Sequence, residues 1–200
     1  EYDPANIDVW DEYITIGNEK DRAVKAIKLA KFKDVANGTQ AGQFGVGEYG
    51  SLSSLNDLDP IYRQLLDKPI ACTMAVMGGD GRPNLTPMWF DYKDDKVLIN
   101  LAQHRKKTTW IRKTPKITLL LMNPENMYHW ISLKVSVERE ILEDDPKEGA
   151  WVTEQVNGIW KKYIGEGGGP EYGLRDPAMN ERRVLMICKV DSIATFGQPG

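Results

Sequence analysis

The feature that most constrains the fold is a succession of short apolar segments separated by turn sequences. The segment PIACTMAVM (69–77) is followed by the turn GGDG and by RPNLTPMWFDYK (82–93), a pattern that predicts a β-hairpin. Further strands are predicted at KVLINLA (96–102), KITLLLMN (116–123), MYHWISLKVSVEREIL (127–142) and RRVLMICKVDSIATF (182–196). Five or six strands joined by turns favour an antiparallel barrel over an α/β sheet.

Short helices are predicted to flank these strands. The segment NDLDPIYRQLL (56–66) has Pro60 in its first turn, RKKTTWIRKTP (105–115) is stopped by a proline, and EGAWVTEQVNGIWKKYI (148–164) carries apolar residues on one face. The predicted fold class is therefore mainly β, or α+β. Pro87 interrupts the second strand and indicates an edge or a bulge, while Trp89 and Phe90 must face opposite sides.

The first 54 residues differ in composition from the rest. An acidic stretch precedes a predicted helix that Asn18 could cap and Gly38 could end. Residues 38–54 are rich in Gly and Ser, which is typical of a flexible linker or of a loop lying on another surface. They lack a phosphate-loop motif. We therefore predict an N-terminal extension at 1–54, serving as a lid or a partner-binding arm, and a main domain at 55–200.

The bulk composition disfavours several functional classes. The 200 residues are 41% hydrophobic and 28% charged, which suffices for one sizeable core. A net charge of -3 and a pI near 5.5 disfavour nucleic-acid or anionic-membrane binding, which needs a broad basic surface. Without a long apolar run or a signal-peptide pattern, a cytoplasmic protein is expected. Cys72 and Cys188 lie in apolar strands and are expected to be buried.

Three consecutive cations, Arg105, Lys106 and Lys107, stand at the beginning of a predicted helix. The macrodipole already makes that end positive, so each cation there costs about 0.3–1 kcal/mol unless an anion binds. A solvated basic surface is the usual explanation for such a triplet. Because this position is unfavourable without an anion, we interpret the cluster as a phosphate seat, in which arginine offers a bidentate fork and lysine a point charge.

The order of these motifs resembles the pyridoxamine 5'-phosphate oxidase-like split β-barrel family, in particular its branch that uses the deazaflavin coenzyme F420. The matching motifs are GGDGRPNLTPMWFDY (78–92), VLINLAQHRKKTTWIRKTPKITLLLMNPENMYHWISLKVSVE (97–138) and RRVLMICKVDSIATFG (182–197). The resemblance spans roughly residues 55–200. It departs from the branch at Gln103, His104 and Trp110, which concern contacts further along the cofactor tail.

The resemblance implies a homodimer that holds F420, or FMN as the alternative, in a groove between the subunits. The cofactor would pass a hydride to a small conjugated acceptor, and no side chain is predicted to be catalytic because the cofactor ring carries the chemistry. Arg105 and Lys107, with Lys106 as a further candidate, would hold the phosphate, and Trp130 would lie beside the ring, either of its own subunit or of the partner subunit. The ring itself would lie along the backbone of two strands, at Thr86, Pro87, Met88, Asn100, Leu101 and Ala102.

Two other hypotheses stay open. The barrel could bind a flavin, F420 or a haem without turning it over, or residues 1–54 could make the chain a subunit of a larger assembly. The only histidines, His104 and His129, show no metal-binding spacing, so no metal site is predicted. The glycine-rich loop GEGGGPEYG (165–173) is predicted to border a binding groove.

Overall fold

The strands of this chain form one antiparallel sheet that closes around a core. The structure is a computed structural model that describes the backbone of residues 47–197 and the side chains of residues 52–197; the predicted helix after Asn18 lies outside this range. The strands are β1 (Gly47–Leu52), β2 (Cys72–Met77), β3 (Pro83–Met88), β4 (Asp91–Lys93), β5 (Lys96–Ala102), β6 (Lys116–Asn123), β7 (Asn126–Leu142) and β8 (Arg183–Phe196). Their order is β3-β2-β6-β7-β8-β5-β4, with β1 also paired to β8. The predicted mainly β, antiparallel fold is confirmed, with eight strands instead of about six.

The strand predicted at 82–93 is two strands. β3 pairs with β2, whereas β4 pairs with β5. The strand partner of the chain therefore changes between Met88 and Asp91. Phe90 turns into the core at this corner and is 1% exposed, while Trp89 remains on the other side. The hairpin of β2 and β3 and the opposite orientations of Trp89 and Phe90 agree with the predictions.

The linker prediction was wrong for the residues of β1. Gly47–Leu52 is a strand whose ends pair with Thr195 and Ile193 of β8. Its glycines remove the alternation of side chains by which a strand is recognised in a sequence. The hydrogen-bonding edge of β8 therefore decides the conformation of this segment.

Within the described residues, three helices flank the sheet. They are α1 (Pro60–Asp67), α2 (Lys106–Lys113) and α3 (Gly149–Ile164), and 3-10 turns occur at Leu55–Asp57, Glu166–Gly168 and Pro177–Met179. Asp59 caps α1 by accepting a hydrogen bond of 2.9 Å from the amide of Ile61. α2 begins after Arg105, which provides no side-chain cap.

The core lies inside the barrel, and a smaller cluster joins α3 to its outer surface. Met74, Leu119 and Leu133 are fully buried in the main core. The smaller cluster comprises Leu98, Ile141, Val152 and Leu185. Burying each such side chain stabilises the fold by about 1.5–3 kcal/mol. This second cluster holds α3 against β5 and β8.

Neither cysteine is accessible for chemistry. Cys72 and Cys188 are buried and form no disulfide, and burial raises the pKa of each thiol to about 12. They act as small apolar core residues, as expected. Within the described range no helix is long and apolar enough to cross a membrane.

Candidate functional site

A groove of about 360 Å³ opens where the ends of β3 and β5 meet the start of α2 and one face of α3. Its volume lies within the range of ordinary small-molecule sites. It is lined by Pro87, Met88, Trp89, Asn100, Leu101, Ala102, Arg105, Lys107, Val156, Ile159, Tyr172, Leu174 and Arg183.

Most of the predicted cofactor-binding residues meet at this groove although they come from three separate segments. β3 supplies Pro87 and Met88, α2 with its cap supplies Arg105 and Lys107, and the end of β5 supplies residues 100–102. Thr86 lies next to these residues and bonds to Lys107. Their common location is a structural fact, whereas their contact with a cofactor stays a prediction.

Lys106 and Trp130 are not brought to the groove. The side chain of Lys106 is exposed on α2 and does not line it. Trp130 pairs with Met122 and stacks on Phe196, with ring centroids 5.8 Å apart. These three residues project from the outer face of the sheet because the strand positions on either side of them point into the core. Within this chain, Trp130 therefore does not occupy the predicted place beside a ring in this groove.

The floor of the groove is formed partly by an edge strand. Among the described strands, β3 pairs only with β2, and Pro87 lies opposite Thr73 in that pairing. A proline has no amide hydrogen, so it is tolerated where a strand has no second neighbour. The prediction that Pro87 marks an edge is confirmed, and the free side of the strand is open to a ligand.

The start of α2 presents two cations that have no anionic partner within residues 52–197. Lys107 is partly buried, and its Nζ donates a hydrogen bond of 2.8 Å to Thr86 Oγ1 and lies 3.5 Å from Met88 Sδ. Burial, and then the charge of Arg105, lower the pKa of Lys107. The Arg105 side chain makes no capping bond. A bound anion would relieve both the repulsion and the uncapped helix start.

The third cation of the groove, Arg183, is already balanced. It is 7% exposed, and its Nη1 lies 2.6 Å from Glu181 Oε1. Its Nε donates to Asn100 Oδ1 at 2.9 Å, and its Nη2 donates to the Asn100 carbonyl at 2.9 Å. The side-chain Nδ2 of Asn100 donates in turn to the carbonyl of Val152 and to Gln155 Oε1. The side chain and the backbone carbonyl of Asn100 are thus both occupied by the protein.

The aromatic residues Trp89 and Tyr172 line the groove and contact further aromatic side chains. Trp89 stacks on Tyr163 at 5.1 Å with an interplanar angle of 10°, and its centroid is 6.1 Å from that of Trp160. Tyr172 meets Trp160 edge to face at 5.6 Å and lies 4.9 Å from the guanidinium carbon of Arg183. The loop that contains Tyr172 borders the groove, as predicted.

Sequence reasoning missed several lining residues. Val156 and Ile159 were predicted only as the apolar face of a helix, and neither Leu174 nor Arg183 was predicted at all. One signal for Arg183 was available in the sequence, because it is a charged residue at the start of an otherwise apolar strand. Leu174 carries no comparable signal because it lies in an irregular segment.

The histidines play no part in the groove. His129 is fully buried, with Nε2 2.8 Å from the carbonyl of Ile61 and Nδ1 3.3 Å from Asn123 Nδ2. Burial lowers the pKa of His129, so the neutral ring joins α1 to β7. His104 is exposed and does not line the groove. No group of three His, Cys, Asp or Glu side chains suited to a metal ion occurs in the part of the chain that the structure describes.

Comparison with solved structures finds several similar chains, and the first described here shows a shared fold. An F420 reductase is 20% identical and aligns over 68% of this chain and 98% of its own, with a TM-score of 0.53. A conserved hypothetical protein from Mycobacterium tuberculosis is 19% identical over 66% of this chain and 80% of its own, with a TM-score of 0.48. The heme storage protein of Vibrio cholerae is 10% identical over 68% and 92%, with a TM-score of 0.47. Such identities indicate a shared fold only.

Comparison with protein families is more specific. No curated protein matches the sequence. The family model of pyridoxamine 5'-phosphate oxidase matches residues 58–195, which is more than half of the chain and includes the groove and strands β2 to β8. The chain therefore belongs to the pyridoxamine 5'-phosphate oxidase family, with the split β-barrel that its sequence motifs predicted.

Proposed function

We propose that this protein is an oxidoreductase that binds F420, or FMN as the second choice, in the groove beside α2. The observation that carries the proposal is the pair of cations without anionic partners, Arg105 and Lys107, at the mouth of a groove floored by strand ends. Arg105 is exposed, but Lys107 is half-buried, and a charge that is withdrawn from water normally has a counter-charge or a ligand. The phosphate that both cofactors carry is a ligand of the required charge.

The described residues fit such a cofactor in three respects. Arg105 offers a bidentate fork, and Lys107 offers a point charge that Thr86 orients through its 2.8 Å hydrogen bond. The backbones at Pro87 and Leu101 offer an open strand edge and a strand end for the ring. Much of the remaining lining is apolar or aromatic and would exclude water from the reacting atoms; it includes Trp89, Val156, Ile159 and Tyr172.

The chemistry would belong to the cofactor. When bound in its reduced form, F420 or FMN supplies a hydride, and a proton from solvent completes the two-electron reduction of a small conjugated acceptor. The protein would hold the phosphate, orient the ring and exclude water. This division of labour accounts for a groove in which no nucleophile and no acid–base pair was predicted.

The phosphate seat does not distinguish F420 from FMN because both carry a phosphate. The preference for F420 is supported by the motif resemblance of residues 97–121 and by the shared fold of an F420 reductase. Binding without turnover is the alternative function. The described histidines lie away from the groove, so a haem held there by histidine is not favoured.

We also propose that the protein is a homodimer. Leu85, Met77 and Met122 are 63%, 42% and 43% exposed, and they share the outer face of the sheet with Trp130 and Phe196. Exposed apolar surface of this kind marks association sites. Light scattering of the purified full chain is expected to give about twice the 22.6 kDa of one chain. A single-chain mass at micromolar concentration would contradict the dimer.

The proposed cofactor site is tested by titrating the full chain with F420 and with FMN. Combining Arg105→Ala with Lys107→Ala is expected to weaken binding at least tenfold, because each charge-assisted hydrogen bond contributes about 1.5–3 kcal/mol. The matched control is Arg112→Ala with Lys113→Ala, which removes the same charge from the other end of α2. The proposal fails if the parent binds neither cofactor, or if both double variants bind as the parent does.

A further inference from the structure

The segment 165–175, here called the strap, crosses from α3 to the groove and is held at both ends. Near its beginning, Trp160 Nε1 donates a hydrogen bond of 2.9 Å to the carbonyl of Gly168. A Cβ at Gly168 would come within 2.6 Å of Ile164 Cγ2, so this close approach requires glycine. At its end, Arg175 Nη1 donates to Glu143 Oε2 at 3.0 Å. The strap is thus a fixed wall of the groove.

Tyr172 is the aromatic residue that the strap presents to the groove. Its amide donates a hydrogen bond of 3.0 Å to Asn157 Oδ1, and its ring is held between Trp160 and the guanidinium of Arg183. These three contacts determine where the ring lies. None of them uses the hydroxyl, which has no hydrogen-bond partner in the described part of the protein.

Other tyrosine hydroxyls of this chain are committed to the protein. Tyr62 donates to the carbonyl of Gly197 at 2.9 Å, Tyr163 donates to the carbonyl of Ile70 at 3.1 Å, and Tyr92 bonds to Asp67. A phenol hydroxyl that is shielded from water usually finds such a partner. The Tyr172 hydroxyl is not among the buried polar atoms that lack a partner, so it is open to solvent at the groove, where a ligand that replaces this water can accept its hydrogen bond.

The charges around Tyr172 indicate what kind of group it would meet. Arg183, on which the ring lies, is neutralised by Glu181, whose side chain is only 2% exposed. Leu174 is 59% exposed and lines the same end of the groove. An anion would gain little here and would lose its hydration, whereas an uncharged hydrogen-bond acceptor would satisfy the hydroxyl without that cost.

We propose that Tyr172 donates a hydrogen bond to an uncharged carbonyl oxygen of the bound ligand, as a second recognition point in addition to the phosphate seat. The proposal rests on the proposed function. Two ligands could supply this oxygen: the cofactor ring, since F420 and FMN both carry ring carbonyls, or a conjugated carbonyl acceptor. In either case Tyr172 determines specificity and moves no electrons.

The test uses Tyr172→Phe, which removes only the hydroxyl, and Tyr62→Phe as the matched control. The first titration measures the Kd of F420 and of FMN for the parent and both variants. The second adds cyclohex-2-en-1-one to protein saturated with the oxidised cofactor and follows the absorption spectrum of that cofactor, so that binding is measured without turnover. Loss of one hydrogen bond should raise the affected Kd about threefold to tenfold.

The outcomes separate the two sources and the two proposals. A raised cofactor Kd for Tyr172→Phe alone assigns the carbonyl to the cofactor ring, and a raised enone Kd with unchanged cofactor affinity assigns it to the acceptor. If the parent binds a cofactor and neither titration distinguishes Tyr172→Phe from the parent, the contact is refuted while the proposed function stands. If the parent binds neither cofactor, the proposed function fails and this inference fails with it.

Discussion

The groove contains two cationic regions that differ in how their charge is balanced. At the start of α2, Lys107 bonds only to the neutral Thr86 and Met88, and the neighbouring Arg105 makes no ion pair with a described carboxylate. Across the groove, Arg183 is paired with Glu181 and hydrogen-bonded to Asn100. Both regions face the same cavity, so residue type alone does not reveal their roles.

The difference shows how a structural cation can be told from one reserved for a ligand. A buried structural charge is compensated within the chain because leaving it unpaired is costly. The cations at the start of α2 lack that compensation, although Arg112 at the end of the same helix pairs with Glu140. Arg105 is exposed and Lys107 is half-buried at the groove, and neither has a carboxylate partner among the described residues, so both charges remain available to a ligand there.

The largest effect is expected from breaking the balanced region. Arg183→Met would leave Glu181 buried without a counter-charge, and we expect a loss of about 3–5 kcal/mol in the free energy of unfolding. Urea denaturation measures this loss, with Arg112→Met as the control. The Arg112–Glu140 pair is more exposed, so the control should lose no more than about 1 kcal/mol. If Arg183→Met lowers the free energy of unfolding no more than the control does, the buried pair of Arg183 with Glu181 does not stabilise the fold as proposed.

A second test concerns Glu143, which binds the end of the strap. Burial raises its pKa, but hydrogen bonds from Arg175, the Arg183 amide and Thr153 outweigh burial and lower it to about 2. Because the folded pKa lies below the unfolded value, this stabilisation is present above about pH 4.5 and is lost as the pH falls toward 2. We expect Glu143→Gln to lose about 2–3 kcal/mol at pH 7.

The pH dependence distinguishes this charge effect from a simple packing defect. The difference in unfolding free energy between parent and Glu143→Gln, measured from pH 7 down to pH 3, should shrink because the carboxyl of the unfolded parent takes up a proton in this range while the folded carboxylate stays largely ionised. A constant difference across this range would refute the assignment.

The smallest effect, and one of opposite sign, is expected at the unbalanced region. Burial and Arg105 lower the pKa of Lys107, so the folded state disfavours the charged amine. This penalty is complete below the lowered pKa and disappears as the pH rises to the usual value of lysine. Without ligand at pH 7, Lys107→Met should therefore be as stable as the parent or slightly more stable, by less than about 1 kcal/mol.

Lys113→Met, at the exposed end of α2, is the control for that measurement. It should leave the free energy of unfolding within about 0.5 kcal/mol of the parent, as is usual for surface substitutions. A loss of more than about 1 kcal/mol for Lys107→Met alone would indicate that Lys107 stabilises the fold and is not held in reserve for an anion.

The sequence allowed accurate prediction where a local pattern coincides with a tertiary boundary. β5 and β6 begin and end at the predicted residues because each is a continuous apolar run between turn or helix signals. The end of α2 was predicted because Pro115 stops the helix. The helix begins at Lys106, one residue after the predicted start at Arg105. The edge position of Pro87 followed from the missing amide hydrogen.

Prediction failed where strand partners decide the conformation. Residues 47–52 were read as a linker because glycine hides their alternation, and only pairing with β8 makes them a strand. Residues 82–93 were read as one strand because nothing local marks the change of neighbour after Met88. Trp130 was placed by resemblance alone; its strand register directs it to the outer face of its own chain, and its place beside a ring of a partner subunit stays a prediction.

The sequence by itself determined three features: the succession of strands along the chain, the class of the fold, and the presence of cations at a helix start that disfavours them. These follow from side-chain periodicity, backbone restrictions and the helix dipole, all of which act over a few residues. Only the tertiary structure decided how Arg112 is compensated and how Arg183 is held in place, because Glu140 and Asn100 lie far from them in the chain, although Glu181, which balances the charge of Arg183, is two residues away. Long-range pairing likewise brought Tyr172 and Leu174 to the groove. Charge balance depends on distance in space, which a linear pattern does not record.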